Sequence, residues 1–229
     1  MLKRRLVDNQ NIYRIDDDTV FLAHADGTTD DALGGSGLSG TVGYSEGKFN
    51  LSFDLNSSRY LKVPDNIWKT QLGGKSWTID FWLYNRMTSF SDSFTFCSSW
   101  GDDKSNTSPN SYTIFIGTIN DSNSAPGTGV GITTFSYNAG TYLINTYVGT
   151  NIWHHVAVSY DKSENKMYFF INGILQGSAN CYLSGHSSSL YLNYKGDDGH
   201  KGNCKIDEFR LSKVCRWKSD FTPPDKPYK

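Results

Sequence analysis

The side chains in this sequence that could do chemistry are few and scattered. Glycoside hydrolysis needs two carboxyl groups about 5 to 9.5 Å apart across the scissile bond, yet the chain has only three glutamates, Glu46, Glu164 and Glu208. No D-x-D or D-x-x-D pair falls within a predicted strand. Gly43-Tyr44-Ser45-Glu46-Gly47 spells G-x-S-x-G, but a nucleophile elbow needs a strand before it and a helix after it, and here a glycine-rich loop precedes and a strand follows. His24, His154 and His155 show neither H-E-x-x-H spacing nor a nearby third ligand, and His155 shares its parity with Trp153 and Ala157 as a structural histidine would. The chain is therefore expected not to be an enzyme.

What the residues suggest instead is binding. Trp82 stands on one parity of a strand with Thr78, Asp80 and Tyr84, and an aromatic ring beside carboxylate and hydroxyl groups is what a sugar ring can stack on. Polar loops add Trp100, Asp102, Asp103, Tyr137 and Asn138, which completes the expected carbohydrate-binding set. The alternative is that Trp82 packs against a neighbouring strand. A second group is acidic. Asp26, Asp30 and Asp31 lie in an oxygen-rich turn after the first strand, and Asp207 lies on the last strand. Because first and last strands of a jelly roll often neighbour each other, the four are candidate ligands for one calcium ion, which takes six to eight oxygens. The competing reading has Asp26 capping a turn and Asp207 accepting from a backbone N–H.

These residues need a frame, and Asn151–Gly177 shows its type. Ile152–Tyr160 alternates with a period of two, Met167–Ile171 is a second β-rich run, and Asn172-Gly173 before Ile174-Leu175 suits the positive φ angles of a type I′ turn. Three adjacent strands follow, and such a meander needs a second sheet to cover it. Ser76–Tyr84 is the cleanest alternation, with Trp77, Ile79, Phe81 and Leu83 as its core side. Lys48–Val63 reads as two strands turning at Asn56-Ser57-Ser58, and Gly34–Gly47, with six glycines, reads as loop. With roughly a dozen short strands in all and no stretch of helical periodicity, the chain is predicted to be all-β, a two-sheet antiparallel β-sandwich of jelly-roll type spanning residues 19–229. Residues 1–18 are expected to be an arm or linker.

Composition narrows the partners. Aromatic residues make up 14% of the 229 residues, charged residues 20%, and the net charge is −1. Beyond Lys3-Arg4-Arg5 there is no basic cluster, so no nucleic-acid partner is expected. No run approaches the roughly 18 apolar residues of a membrane helix, and no signal-peptide core is seen, so a soluble product made in a cytoplasm is expected. Cys97, Cys181, Cys204 and Cys215 lack C-x-x-C spacing and are expected as free thiols, although a pair remains open.

The closing segment Ile206-Asp207-Glu208-Phe209-Arg210-Leu211-Ser212-Lys213, followed by Cys215-Arg216-Trp217 and Phe221-Thr222-Pro223-Pro224, resembles the ending of laminin-G-like domains of the concanavalin A-like lectin/glucanase superfamily, of the kind found in bacteriophage tail and other virion proteins. Three further pieces agree in order: Thr19–Gly27, Lys48-Phe49 with Tyr60-Leu61 and Pro64, and Trp153-His154-His155-Val156-Ala157 with Asn172-Gly173. The resemblance implies a jelly roll, a tendency to bind glycans and often a bound calcium. It places the protein in a virion, with a host glycan or cell-surface polysaccharide and other virion subunits as partners and a homo-oligomer open. Glycosidases on this fold carry an E-x-D-x-x-E strand, which this sequence lacks. A decoration domain making only protein contacts is the alternative, and a polysaccharide hydrolase a distant third.

Overall fold

The computed structural model of the protein describes residues 14–87, 95–99, 115–118, 129–136, 139–147, 149–180, 183, 185–186, 188–194 and 201–229, and these form two antiparallel sheets packed face to face. The first sheet centres on Trp77–Asn85 (β6), flanked by Trp153–Asp161 (β11) and Cys204–Ser212 (β15). Lys166–Ile171 (β12) and Ile174–Asn180 (β13) extend it past β11. Leu51–Leu55 (β4) and Gly43–Glu46 (β3) extend it past β15, whose far end pairs with Thr19–Ala23 (β1). The second sheet runs Ala139–Tyr147 (β10), Gly129–Ser136 (β9), Phe115–Thr118 (β8), Thr95–Ser98 (β7), Tyr191–Leu192 (β14), Tyr60–Lys62 (β5) and Ser39–Thr41 (β2).

Period-two alternation decides which side chains meet between the layers. Trp77, Ile79, Phe81 and Leu83 point inward as expected and join Phe53, Val156, Val158, Phe169 and Leu211 in one buried cluster with Leu61, Phe96, Ile116 and Leu192 of the second sheet. Each such side chain contributes about 1.5–3 kcal/mol when fully buried. The predicted meander is present as β11, β12 and β13. Its turn has Asn172 at φ 50° and Gly173 at φ 77°, the two left-handed residues a type I′ turn requires. The Asn172 side chain ties the turn back to β11, accepting from the His155 N–H at 2.9 Å and meeting His154 Nδ1 at 3.0 Å.

Two expectations are corrected. The glycine-rich stretch holds β2 and β3, short edge strands with little apolar content to announce them. Lys48–Val63 is not a hairpin: β4 joins the first sheet and β5 the second, so the Asn56–Ser58 turn carries the chain across the sandwich. A short π-helical turn, Asn66–Gln71, sends Trp68 into the core, where it meets Trp77 at 5.7 Å and stacks on His186 at 3.8 Å.

The last strand changes parity midway. Asp207 is opposite Trp82 and Arg210 opposite Asp80, so β15 advances three residues while β6 advances two. Glu208, at φ 52°, absorbs the extra residue as a β-bulge. Ile206, Phe209 and Leu211 all face the core as a result, while Asp207 and Arg210 face outward.

That outward side is not open to water. Residues 213–229 leave β15 and cross back over the outer face of β6, β11 and β12. Trp217 and Phe221 stack at 3.9 Å and lie against Phe170, Ala157 and Tyr168, a second apolar cluster outside the sandwich. The Phe221 N–H donates to the Gly173 carbonyl and the Leu175 N–H to Asp220 Oδ1, so the strap docks on the meander turn. At its end, the Tyr228 N–H donates to Glu208 Oε2, and its hydroxyl donates to Asp80 Oδ2 at 2.6 Å. Asp80 is fully buried and receives Arg210 through Nε at 2.9 Å and Nη2 at 3.2 Å, with His155 Nε2 at 3.4 Å; the guanidinium lies 4.0 Å from the Tyr228 ring centre. Ile15–Asp18, assigned above to an arm, are fastened to the same strap: Arg216 forms two bonds to Asp16, and the Ile15 N–H donates to the Lys229 carbonyl.

Removing Arg210 leaves Asp80 charged and buried, which typically costs about 3–5 kcal/mol. Arg210→Met is accordingly expected to lower the urea unfolding free energy by that amount and Tyr228→Phe by about 1 kcal/mol. A loss below about 1 kcal/mol for Arg210→Met would show that the ion pair does not hold the strap.

Candidate functional site

The outer face of the first sheet, singled out above because of Trp82, is divided by what lies on it. Thr78 and Asp80 are under the strap, with Thr78 Oγ1 donating to the Val214 carbonyl at 2.7 Å. Trp82 is 8% exposed. The tip of the β3–β4 hairpin folds over it, placing Lys48 Nζ 4.4 Å from its ring centre and Phe49 edge-on at 6.0 Å, while His155 closes the other side at 5.3 Å. Trp82 thus presents no face to a ligand and packs against its neighbours, the alternative given above; the hairpin tip over it contains the left-handed Asn50 and is tied down by the Phe49 N–H donating to Asp207 Oδ2. Trp100, Asp102, Asp103, Tyr137 and Asn138 lie outside the described residues.

One row further along, the strap has passed and the sheet is partly open. Trp153, Tyr84, Lys205 and Asp54 stand opposite one another on β11, β6, β15 and β4. Trp153 and Tyr84 are half-buried with ring centres 5.3 Å apart and planes inclined at 58°. Lys205 Nζ is 5.4 Å from the Tyr84 ring centre and donates to the Glu46 carbonyl at 2.9 Å. Asp54 closes the row, gripped by Arg59 Nη1 at 2.9 Å and by Arg86. The row thus offers two aromatic rings on central strands, followed by an ammonium, a carboxylate and two guanidinium groups. Rings of this kind stack on the apolar faces of a sugar, and the polar margin can exchange hydrogen bonds with its hydroxyls. Sequence reasoning passed over Trp153 because its strand was read for its core parity, and the register with Tyr84 that would have found it is a property of the folded sheet.

The four aspartates considered for calcium do not fit a common ion site. Asp26 accepts from the Leu51 N–H at 3.0 Å and from Asn50 Nδ2 at 3.2 Å. Asp31 Oδ1 accepts from the Leu22 and Leu33 N–H groups, which fastens the loop after β1 to that strand. Asp207 Oδ2 accepts from the Phe49 N–H at 2.9 Å, and Asp30 is exposed. Among the described residues no three His, Cys, Asp or Glu side chains converge as a metal site. Asp207 accepts from a backbone N–H as the competing reading had it, whereas Asp26 accepts from the distant Leu51 N–H and Asn50 side chain rather than capping its own turn, and Asp31 also binds backbone donors.

Asp207 and its neighbour are electrostatically unusual. The Asp207 side chain is buried with Oδ1 lacking a partner, and burial, assisted by the nearby Glu208 charge, pushes its carboxyl up to about 7. Glu208 Oε1 is 2.8 Å from His24 Nδ1 and raises that imidazole above its ordinary value. Burial raises the Cys97 and Cys204 thiols, and these two and Cys215 are free. None of these groups borders the Trp153–Tyr84 row as a reacting centre.

With this geometry in hand, comparison gives the family. A laminin G model, described as the concanavalin A-like lectin/glucanases superfamily, matches residues 55–219. The chain belongs to that superfamily. A search of curated proteins finds no match. Among solved structures, the chain is similar to domain 4 of AbnA, a GH43 extracellular arabinanase from Geobacillus stearothermophilus solved with arabinotriose, at 17% identity and a TM-score of 0.61, covering 86% of this chain and 92% of that one. It is also similar to the binding domain of Paraclostridial Mosquitocidal Protein 1 at 16% identity and a TM-score of 0.56, covering 87% of this chain and 49% of the other. A botulinum neurotoxin type C structure, described by the dependence of cell entry on two ganglioside molecules, matches at 20% identity and a TM-score of 0.58, covering 86% and 48%. This chain thus spans about half the length of the two toxin chains. At these identities the likeness is one of fold.

Two outcomes test the acidic groups. Because the Asp26, Asp31 and Asp207 carboxylates are engaged by backbone N–H groups, millimolar calcium or a chelator is expected to move the melting temperature by less than about 1 °C; a calcium-dependent rise of several degrees would mean an ion links these loops. Asp207 retains its proton in the fold at pH values where the unfolded chain has lost it. Its contribution is therefore complete below about pH 4 and is lost as pH rises through about 7. Melting curves from pH 5 to 8 should show Asp207→Asn losing less stability over this range than the parent does.

Proposed function

We propose that the protein is a non-catalytic carbohydrate-binding module that takes a saccharide on the open end of the first sheet, across Trp153 and Tyr84 with Lys205 at their margin. The observation that carries this reading is the half-buried aromatic pair at the point where the strap ceases to cover the sheet. On the two central strands the other outward side chains, Thr78, Asp80, Trp82, His155, Ala157 and Ser159, are buried, so an aromatic corner left partly in water there has a use that packing alone does not supply. Both rings ride on strands hydrogen-bonded on both sides, so little conformational entropy is lost on binding. Superfamily membership supports the reading, as does a domain of this fold solved with arabinotriose.

Affinity from two rings and a handful of hydrogen bonds is expected in the millimolar to micromolar range, roughly −4 to −8 kcal/mol. Such a module works by repetition, since several copies engaging one polymer gain affinity without any new contact. The setting we propose is a virion surface, where the module would hold a host glycan or cell-surface polysaccharide. Support for that setting is the resemblance of the Ile206–Lys213 and Trp153–Ala157 motifs to domains of phage tail proteins.

A glycan array with the isolated protein tests the reading. Retention of a saccharide class is expected, with Trp153→Ala weakening it at least about tenfold (1.4 kcal/mol) while the melting temperature stays within a few degrees. Binding that survives Trp153→Ala unchanged would remove the site, and an array with no ligand at millimolar concentration would leave the domain to protein contacts alone.

A further inference from the structure

Two aromatic rings on one sheet face can serve either of two kinds of saccharide, and their relative tilt decides between them. A flat ligand, such as the face of a packed polysaccharide or the side of an extended ribbon-like chain, needs its rings in one plane and at least a sugar's length apart. Trp153 and Tyr84 meet neither condition. Their planes are inclined at 58° and their ring centres are 5.3 Å apart. That separation is close to the spacing of about 4.8 Å between neighbouring strands, because the two residues are directly opposite on β11 and β6. It also falls within the range of about 4.5–7 Å in which aromatic rings hold one another. Neither ring turns flat without giving up that contact, so the pair is one corner and not two platforms.

The corner is walled on two sides. Two residues inward on β6, about 7 Å away, Trp82 lies under the tip of the β3–β4 hairpin, with Phe49 edge-on at 6.0 Å and Lys48 Nζ 4.4 Å from its ring centre. Two residues inward on β11, His155 lies under the strap, 5.7 Å from the Phe221 ring. Both covering segments stand above the sheet, so a saccharide chain running inward along these strands collides with them. On the β15 side the hairpin reaches across the face. Lys205 Nζ, 5.4 Å from the Tyr84 ring centre, donates to the Glu46 carbonyl at 2.9 Å, which closes that flank with an ammonium and a peptide group. The next positions in the row, Lys205 and Asp54, carry no ring, so a second sugar in line finds nothing to stack on. An ammonium has three N–H donors, and Glu46 takes one of Lys205's, which leaves donors for a hydroxyl at the edge of a sugar held in the corner.

We infer that the corner takes a single sugar unit presented at a chain end or a side branch, so that the ligand class is a branched or end-exposed glycan and not the flank of a linear or packed polysaccharide. One ring lies against the face of that sugar, the other against its edge, and Lys205 donates to one of its hydroxyls. This assignment rests on the reading of the row as a saccharide site and narrows it. Sites on a surface glycan then scale with the number of its ends and branches, not with polymer length.

Calorimetric titration with cello-, chito-, malto- and arabino-oligosaccharides of two to six units, beside pull-down on crystalline cellulose and chitin, tests this. At least one series should bind, with an affinity that changes less than about threefold from disaccharide to hexasaccharide, and neither crystalline solid should deplete the protein from solution. In that series Trp153→Ala and Tyr84→Ala should each weaken binding at least about tenfold, and the double variant little more than either alone, because one sugar rests on both rings. If Tyr84→Ala does not fold, Lys205→Met carries the test, with a loss of at least about threefold expected at every chain length. A Trp153-dependent affinity that rises tenfold or more with length, or a crystalline solid that retains the parent and not Trp153→Ala, overturns the single-unit corner and leaves the saccharide site standing. Binding indifferent to Trp153→Ala, or no binding of any series at millimolar concentration, overturns the site itself and the corner with it.

Discussion

One extra residue in the last strand determines how the outside of this protein is used. Without the bulge at Glu208, strict alternation after Ile206 would send Glu208 and Arg210 into the core and Phe209 and Leu211 to the outer face. A buried carboxylate and guanidinium among Phe21, Phe81 and Val158 would be untenable. With Glu208 held in the left-handed region, both halves of the strand serve the core, and the polar residues of the Ile206–Lys213 motif all fall on the outer side or at the bulge itself. A strained backbone at a non-glycine residue costs of order 1–3 kcal/mol, and it persists here because His24 and the Tyr228 N–H both bind the Glu208 carboxylate.

From that placement the strap follows. Arg210 emerges beside Asp80, and neither could remain on an outer face sealed from water without the other. Tyr228 completes the pair by donating to Asp80 and lying under the guanidinium, so the chain's last residues are held by the same charge that the bulge brought outward. Trp217 and Phe221 then cover β11 and β12, which become buried on both faces. The open part of the sheet is whatever the strap and the β3–β4 hairpin tip do not reach. On β6 and β11 that remainder is the Trp153–Tyr84 end, so the position of the proposed saccharide site is a consequence of where the covering segments stop.

Local chemistry in the sequence was sufficient for the strands whose signals are local. Asn172-Gly173 announces its turn through two positive φ angles that few other dipeptides tolerate, and Trp77 to Leu83 announces its faces by alternation. Non-local features were hidden for a physical reason. A bulge is a mismatch between two strands, so Glu208 looks like any other polar residue until β6 is laid beside it. The Asn56–Ser58 turn has the same residues whether it closes a hairpin or passes between sheets, and only the destinations of β4 and β5 differ. The strap has no periodicity, since Trp217, Phe221 and Tyr228 are spaced by the path of an irregular segment and not by a repeating backbone. For the same reason Trp82 was favoured over Trp153: parity in the sequence identifies an outer face, but what lies upon that face is decided by segments far away in the chain.

The distinction between Trp82 and Trp153 is also an argument about how recognition can arise on a sandwich. Strand residues are pre-organised and therefore suit weak, repeated binding, in which the loss of side-chain freedom would consume much of a small gain. Loops can adapt but must be ordered on contact. An outer-face aromatic that is fully sealed contributes to stability, whereas one at the margin of a covering segment retains a usable ring while its backbone is held as firmly as the core. Trp153 meets both conditions, being next to the sealed His155–Trp82 row and on the strand that pairs with β6 and β12. Binding surfaces on this fold are thus expected where coverage ends, not where aromatic content is highest.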